Sequence, residues 1–367
     1  MNNEFDYVNV SESNSPQPQT QPQEQPQVQH QVQPQPKPQY VTYVPYGLTP
    51  KTFEEHKAIK KTANIIGGAF LVMLAATEVI VFLIKLLLSV LGLWGVKEIA
   101  IFSDPAFLHY LQSMLSIITF TIPFAVLFKI GGYRISSLIR FKKPYKKDIL
   151  PYFFLGVGVC YFANYLVNIA AQIFTNLGIS YDVAENENPT GILGVMLTVI
   201  TYAVVPPLVE EFACRGIILG SLKKYGEGFA VLCSAILFGI VHGNFMQIPF
   251  AFLVGLVLGF ITVKTNTIWI AVAVHAFNNG VSVLLDYIVS NTSEMVGDVV
   301  SIIILTACLL FIFIAVWLFK NRDSDALNFN TPKTESTEKQ KIKWFFTSPT
   351  IIIFAILCLF KCLKYFS

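Results

Sequence analysis

Apolar residues fall in long unbroken runs, not in alternation. They extend from about Ala63 to Val96, Phe107 to Phe128, Leu150 to Leu177 and Ile192 to Leu222, then Phe229 to His242, Ile248 to Val263, Ile268 to Val289 and Val299 to Phe319. About twenty residues rising 1.5 Å each cover a hydrocarbon core about 30 Å thick, so these runs predict membrane-crossing helices. A barrel would need strict two-residue alternation, which the chain lacks. The fold class predicted is an all-α polytopic membrane protein of about eight transmembrane helices. A last run, Ile351 to Phe360, is short and precedes Lys361 and Lys364. It predicts either a ninth short span or an interfacial helix.

The flanks divide the chain further. Residues 1–45 are a Pro/Gln-rich tract that cannot form a core and reads as a disordered tail. A basic juxtamembrane segment, 46–62, carries Lys51, Lys57, Lys60 and Lys61. The intramembrane domain then covers 63–320, a cytoplasmic polar segment 321–349, and a C-terminal hydrophobic segment 350–367. The first sixty residues contain no signal-peptide pattern, so the first span is expected to direct its own insertion. Within that span Glu78 and Lys85, on one helical face, are expected to pair with each other or with neighbouring helices.

Composition agrees with the pattern: 54% of residues are hydrophobic and 13% charged, against about 25% charged in soluble domains. No basic stripe marks a folded soluble face, which excludes nucleic acid as a partner. The six cysteines lie in or beside apolar segments, with no C-x-x-C pair, and read as buried thiols.

Charge fixes a predicted orientation. With the N-terminus in the cytoplasm, the loops at 129–147, 223–228, 264–267 and 320–346 face inward, and these hold the lysines and arginines. The loops at 97–106, 178–191, 243–247 and 290–298 hold only Lys97. This is the positive-inside arrangement of a multi-pass cell-membrane protein.

Against that apolar background three polar clusters stand out: Glu210-Glu211 with Arg215, Phe238 with His242, and His275 with Asn278-Asn279. Ionisable groups within a bilayer cost about 2.5–3.5 kcal/mol each on insertion scales, so such clusters point to function. On a helix Glu211 and Arg215 stand at i and i+4, placed to form an ion pair. Glu210 is turned about 100° away and is left as a buried carboxylate able to act as a general base. The plainer alternative is an inert charge network that locks helices together. His275 and Asn279 share a face and carry N–H donors suited to an oxyanion; Asn278 is an alternative donor about 60° off that face. At 1.5 Å per residue, Glu210, His242 and Asn279 each lie roughly 18–20 Å from the cytoplasmic ends of their spans and His275 about 10–12 Å. Residues distant in sequence thus converge on one layer.

The order E-E-x-x-x-R, F-x-x-x-H, H-x-x-x-N resembles the CaaX-protease and bacteriocin-processing family (CPBP, also called Abi). Pro206-Pro207-Leu208-Val209 before the glutamates and Gly216 after the arginine agree with it. The matched core covers about residues 190–290. The resemblance implies an α-helical intramembrane endopeptidase acting on a membrane-associated or lipid-anchored peptide within the lipid bilayer. Carried over by position, Glu210 and His242 activate water, His275 and Asn279 stabilise the oxyanion, and Glu211, Arg215 and Phe238 support the site. Access is expected from the cytoplasmic side or laterally. Cys214 stands where a bulkier apolar residue is expected, and no histidine lies local to it.

Family members are often labelled metalloproteases. Glu210, His242 and His275 could supply a His₂Glu zinc set with an open fourth position, whereas a metal-free scheme uses Glu210 and His242 alone. No H-E-x-x-H helix decides between them. A non-catalytic rival is a membrane binding or bacteriocin-immunity protein of the same fold; a transporter would be expected to show matched broken repeats, which do not stand out.

Overall fold

The structure, a computed structural model, describes residues 45, 47–90, 104–177, 191–320, 328–330 and 332–363. The Pro/Gln tract up to residue 44, Lys97, the acidic loop Asp182–Pro189 and Lys364 lie outside the described residues. Every regular element among them is helical. In chain order these are α1 (Pro50–Val90), α2 (Pro105–Ile130), α3 (Ile135–Leu138), α4 (Lys146–Asn176), α5 (Gly191–Tyr225), α6 (Glu227–Ile240), α7 (Gln247–Thr265), α8 (Trp269–Asn291), α9 (Glu294–Phe319), α10 (Glu338–Phe346) and α11 (Pro349–Cys362).

Seven of these, α1, α2, α4, α5, α7, α8 and the α9 stretch Met295–Phe319, are long and apolar enough to cross a bilayer. The fifth expected span differs. Its helix α6 has 14 residues, about 21 Å, and Gly243 at φ +59° turns the chain just beyond His242. A left-handed backbone there suits glycine, which has no Cβ to clash. Helix α6 returns antiparallel along α7, and small residues bring the two backbones close. A Cβ on Gly255 would stand 2.9 Å from the Ala235 Cα, and one on Gly239 would stand 2.9 Å from the Ile248 carbonyl. Close approach through small residues is how helices associate where lipid removes the hydrophobic drive.

Helix α1 takes the basic collar into its first turns, since its 41 residues exceed the span of the hydrocarbon core by several turns. The C-terminal segment is two helices bent by 67° at Thr347-Ser348. The buried face of α11, Ile351, Phe354, Cys358 and Cys362, lies on α1: Phe354 stacks on Phe70 at 4.4 Å, and Thr350 donates to the Asn64 carbonyl at 3.1 Å. Glu78 pairs with a neighbouring helix, its carboxylate 3.8 Å from Lys361. The opposite face of α11, including Ile352, Ile356 and Phe360, is exposed. Short of a straight crossing, α11 is nonetheless built into the bundle. Lys341 of α10 is fully buried, and its ammonium donates to the Tyr225 carbonyl at 2.6 Å, which closes the end of α5.

Candidate active site

Helix α5 carries the glutamates, and its backbone is irregular on both sides of them. Wide, π-helical turns run over Val199–Val204 and Phe212–Ile218. The first has a cause in the sequence. A helical carbonyl at Tyr202 would accept from the N–H of residue 206, or in a wide turn from that of residue 207; both are prolines and have none. The Tyr202 carbonyl is therefore turned to a side chain, and Asn279 donates to it at 3.0 Å. Such widened turns recur at functional sites.

Past the prolines, Glu211 and Arg215 form the ion pair expected from their spacing, at 2.7 Å and with both side chains fully buried. Arg215 also donates to the Gly255 carbonyl at 3.3 Å, and its guanidinium lies 4.2 Å from the Phe238 ring centre. Phe238 in turn meets His242 and His275 edge-on, at 5.1 and 5.7 Å. One aromatic ring thus separates and orients three polar side chains, contributing a cation–π contact on one face.

Glu210, one residue earlier, faces away from this pair into a cavity of about 960 Å³. His242, His275, Asn278 and Asn279 line the same cavity. His275 bridges the two glutamates: its Nδ1 stands 3.0 Å from Glu211 Oε1, and its Nε2 stands 3.9 Å from Glu210 Oε2. Since Glu211 is ionised against Arg215, His275 Nδ1 is the donor there. His242 Nδ1 lies 2.7 Å from the Phe238 carbonyl. A carbonyl only accepts, so Nδ1 carries the hydrogen and the neutral ring keeps its lone pair on Nε2. Asn278 donates to the Asn279 amide oxygen at 3.3 Å. Cys214 is fully buried and is not among the residues that line the cavity.

All four residues expected to act on substrate therefore line one cavity, and Glu211 and Arg215 lie behind it. Sequence reasoning missed Tyr202, Gln112 and Asp286, which line the cavity too. For Tyr202 a signal was present, because two successive prolines leave a carbonyl without a helical donor.

Residues 192–281 match the family model described as "Type II CAAX prenyl endopeptidase Rce1-like". "Putative membrane peptidase YdiL" of Bacillus subtilis is 33% identical over 106 residues, which cover 28% of this chain and 43% of that protein. "Membrane-embedded CAAX protease MroQ" of Staphylococcus aureus is 25% identical over 184 residues, 48% of this chain and 72% of that protein. The likeness to the CaaX-protease and bacteriocin-processing family thus lies in residues 192–281, about a quarter of the chain. The CPBP match encloses the whole polar cluster from Glu210 to Asn279. It spans less than half the length of the Bacillus relative. No solved structure matches the chain significantly.

The zinc alternative within the CPBP family asks Glu210, His242 and His275 to act as one cage. Among the described residues no three His, Cys, Asp or Glu side chains are grouped to hold a metal ion. Both histidines have Nδ1 committed to protein acceptors and Nε2 left over, so the misfit lies in the spacing of the side chains and not in the ring nitrogens. The donor set as arranged does not fit a zinc ion.

The proline pair makes a testable case. Replacing both, Pro206→Ala with Pro207→Ala, restores backbone donors to the Tyr202 carbonyl in competition with Asn279. Melting temperature in detergent is expected to hold or rise, because proline inside a helix costs about 3 kcal/mol. Peptide cleavage by the same preparation is expected to fall about 10²-fold, the scale of a 1 Å misplacement. Unchanged cleavage would show that the Asn279 anchor is dispensable.

Proposed function

We propose that the chain is an intramembrane endopeptidase that hydrolyses a peptide bond of a membrane-associated or lipid-anchored peptide, with Glu210 as general base. The observation that carries this reading is the 3.9 Å gap between Glu210 Oε2 and His275 Nε2 at the cavity wall. Polar atoms that far apart are suited to one bridging water. Such a water faces a cavity large enough for a peptide and is backed by a neutralised Glu211–Arg215 pair. The relatives named as a membrane peptidase and a CAAX protease support the same class of reaction.

In this mechanism the Glu210 carboxylate takes a proton as the water oxygen attacks the scissile carbonyl carbon. His242, with its Nε2 lone pair available, helps to hold and polarise that water. The carbonyl π electrons move onto oxygen, and the resulting oxyanion receives hydrogen bonds from His275 Nε2–H and from an N–H of Asn279. Glu211 stabilises the charged form of His275 by accepting from its Nδ1–H. The second N–H of Asn279 remains committed to the Tyr202 carbonyl. As the C–N bond breaks, the proton held by Glu210 passes to the leaving nitrogen. Oriented donors in a site closed to bulk water act more strongly than in solution.

Peptides recovered from membranes of cells that express the parent chain, Glu210→Ala or His242→Ala test the reading. Both variants, at equal expression, are expected to accumulate the uncleaved substrate. A cellular phenotype that persists in both would make shielding by binding, as in an immunity protein, the function instead.

A further inference from the structure

The cavity has a closed end and an open end, and the charges along the chain distinguish them. Along the contributing helices its lining residues reach away from the ends rich in lysine. On α5 they run from Thr198 to Glu210, whereas the helix ends beyond Lys223-Lys224. On α7 they occupy the first turns, Gln247 to Val254, whereas Lys264 stands at the other end. On α8 they extend to Ser290, one residue before the helix ends. Gln247, Asp286 and Ser290 are exposed and form the rim.

The lysine-rich side is closed but for a hollow of about 50 Å³ lined by Arg140, Arg215 and Lys223 among others. The segment after α3 is tied to the start of α8 by three hydrogen bonds: Ile268 N–H to the Arg140 carbonyl at 3.2 Å, Thr267 hydroxyl to that of Lys142 at 2.6 Å, and Trp269 Nε1–H to that of Phe141 at 3.3 Å. The end of α3 and the residue after it lie hard against α5. A Cβ at Gly220 would stand 2.5 Å from the Leu138 carbonyl, and one at Gly216 would stand 3.0 Å from Ile139. No peptide passes between surfaces that already exclude a methyl group.

The lining also has a sign. Among the described residues its carboxylates are Glu210 and Asp286, its remaining polar groups are amides, hydroxyls and the two histidines, and no lysine or arginine lines it. Asp286 is eleven residues past His275, which places it on the same face of α8, about 16 Å further toward the rim.

We propose that this site takes its substrate from the membrane face opposite the basic loops, the extracytoplasmic face by the positive-inside rule, and that the substrate is a peptide segment carrying a basic side chain. The inference rests on reading the cavity as a peptide site. Of the two routes expected from sequence, cytoplasmic or lateral, it departs from the first, because the end that bears the basic loops is the closed one. Asp286 at the rim offers a charge partner for a lysine or arginine of the segment. An acidic segment would meet the Asp286 carboxylate at the rim and find no lysine or arginine among the described lining residues.

Two measurements that need no cleavage test this apart from the proposed chemistry. Single substitutions Ser290→Cys and Lys143→Cys, in the full chain in intact cells, are treated with a membrane-impermeant maleimide. The six native thiols are buried and give the background. Ser290→Cys is expected to label in intact cells, and Lys143→Cys only after permeabilisation; the reverse pattern overturns the assigned face. Binding of fluorescent Leu-Leu-Lys-Leu-Leu and Leu-Leu-Glu-Leu-Leu to the full chain in detergent is then compared by anisotropy. The lysine peptide is expected to bind about tenfold more tightly, the scale of 1.4 kcal/mol, and Asp286→Asn to remove most of that difference. Equal binding of the two peptides, or a preference unaffected by Asp286→Asn, overturns the charge assignment. If both measurements come out as expected while Glu210→Ala accumulates no peptide, the cavity binds without cutting.

Discussion

Glu210→Gln is expected to fold like the parent chain and to lose peptide cleavage almost completely. Glu210 faces the cavity, and the ring nitrogen beside it, His275 Nε2, is 3.9 Å away. Its amide replacement keeps the shape and forfeits no short ion pair, so yield from size-exclusion chromatography should remain near that of the parent. An amide cannot accept the proton of the attacking water, and loss of a general base lowers rates about 10²–10⁴-fold. Yield and cleavage measured on one preparation decide the matter. If yield collapses along with cleavage, Glu210 is part of the scaffold and the proposed assignment fails.

Glu211→Gln should do the opposite in its first effect. Glu211 is fully buried and accepts from Arg215 at 2.7 Å and from His275 at 3.0 Å through one oxygen. Neutralising it leaves a fully buried guanidinium beside Phe238 without its counter-charge. Breaking a buried pair by removing one partner costs about 3–5 kcal/mol, a large part of the 5–15 kcal/mol by which proteins are typically stable. Folded yield should therefore fall sharply, and a double substitution that also replaces Arg215 with Met should recover part of it. A Glu211→Gln chain as stable as the parent would show that the pair is not what holds α5 in place. The two adjacent carboxylates would then be separated by something other than the 100° turn between them.

Much of this arrangement was legible in the residues alone, because it is local. Run lengths set the helices, and the distribution of lysine and arginine gave the expected sides. A spacing of four residues put Glu211 beside Arg215 and turned Glu210 elsewhere, since helical geometry fixes what adjacent turns present. The same local logic extends to Pro206-Pro207, which must leave the Tyr202 carbonyl without a helical donor. What that carbonyl then meets is not local. Only the packing of α8 against the widened turn of α5 brings Asn279 to it, so an amide expected to serve the substrate gives one N–H to the backbone. Likewise, periodicity put His275 on the face of Asn279, but the crossing of α5 and α8 decides that its ring bridges both glutamates.

Two elements were left undecided by composition for the same reason. An apolar run from Phe229 to His242 looks like a crossing helix by composition. Its short helix and the left-handed turn at Gly243 follow from how α6 is folded back along α7. Residues Ile351 to Phe360 are apolar enough to suit a span or an interface, and composition cannot choose. The seat of this segment on α1 depends on Gly67, where a Cβ would stand 2.6 Å from the Thr350 carbonyl carbon. Helix content and the separation of the two glutamates, one paired with Arg215 and one facing the cavity, were thus determined by the sequence itself, through repeats of the backbone. The closed floor, the open rim and the convergence of three helices on one cavity depend on interhelical rotation and approach, which no single helix encodes.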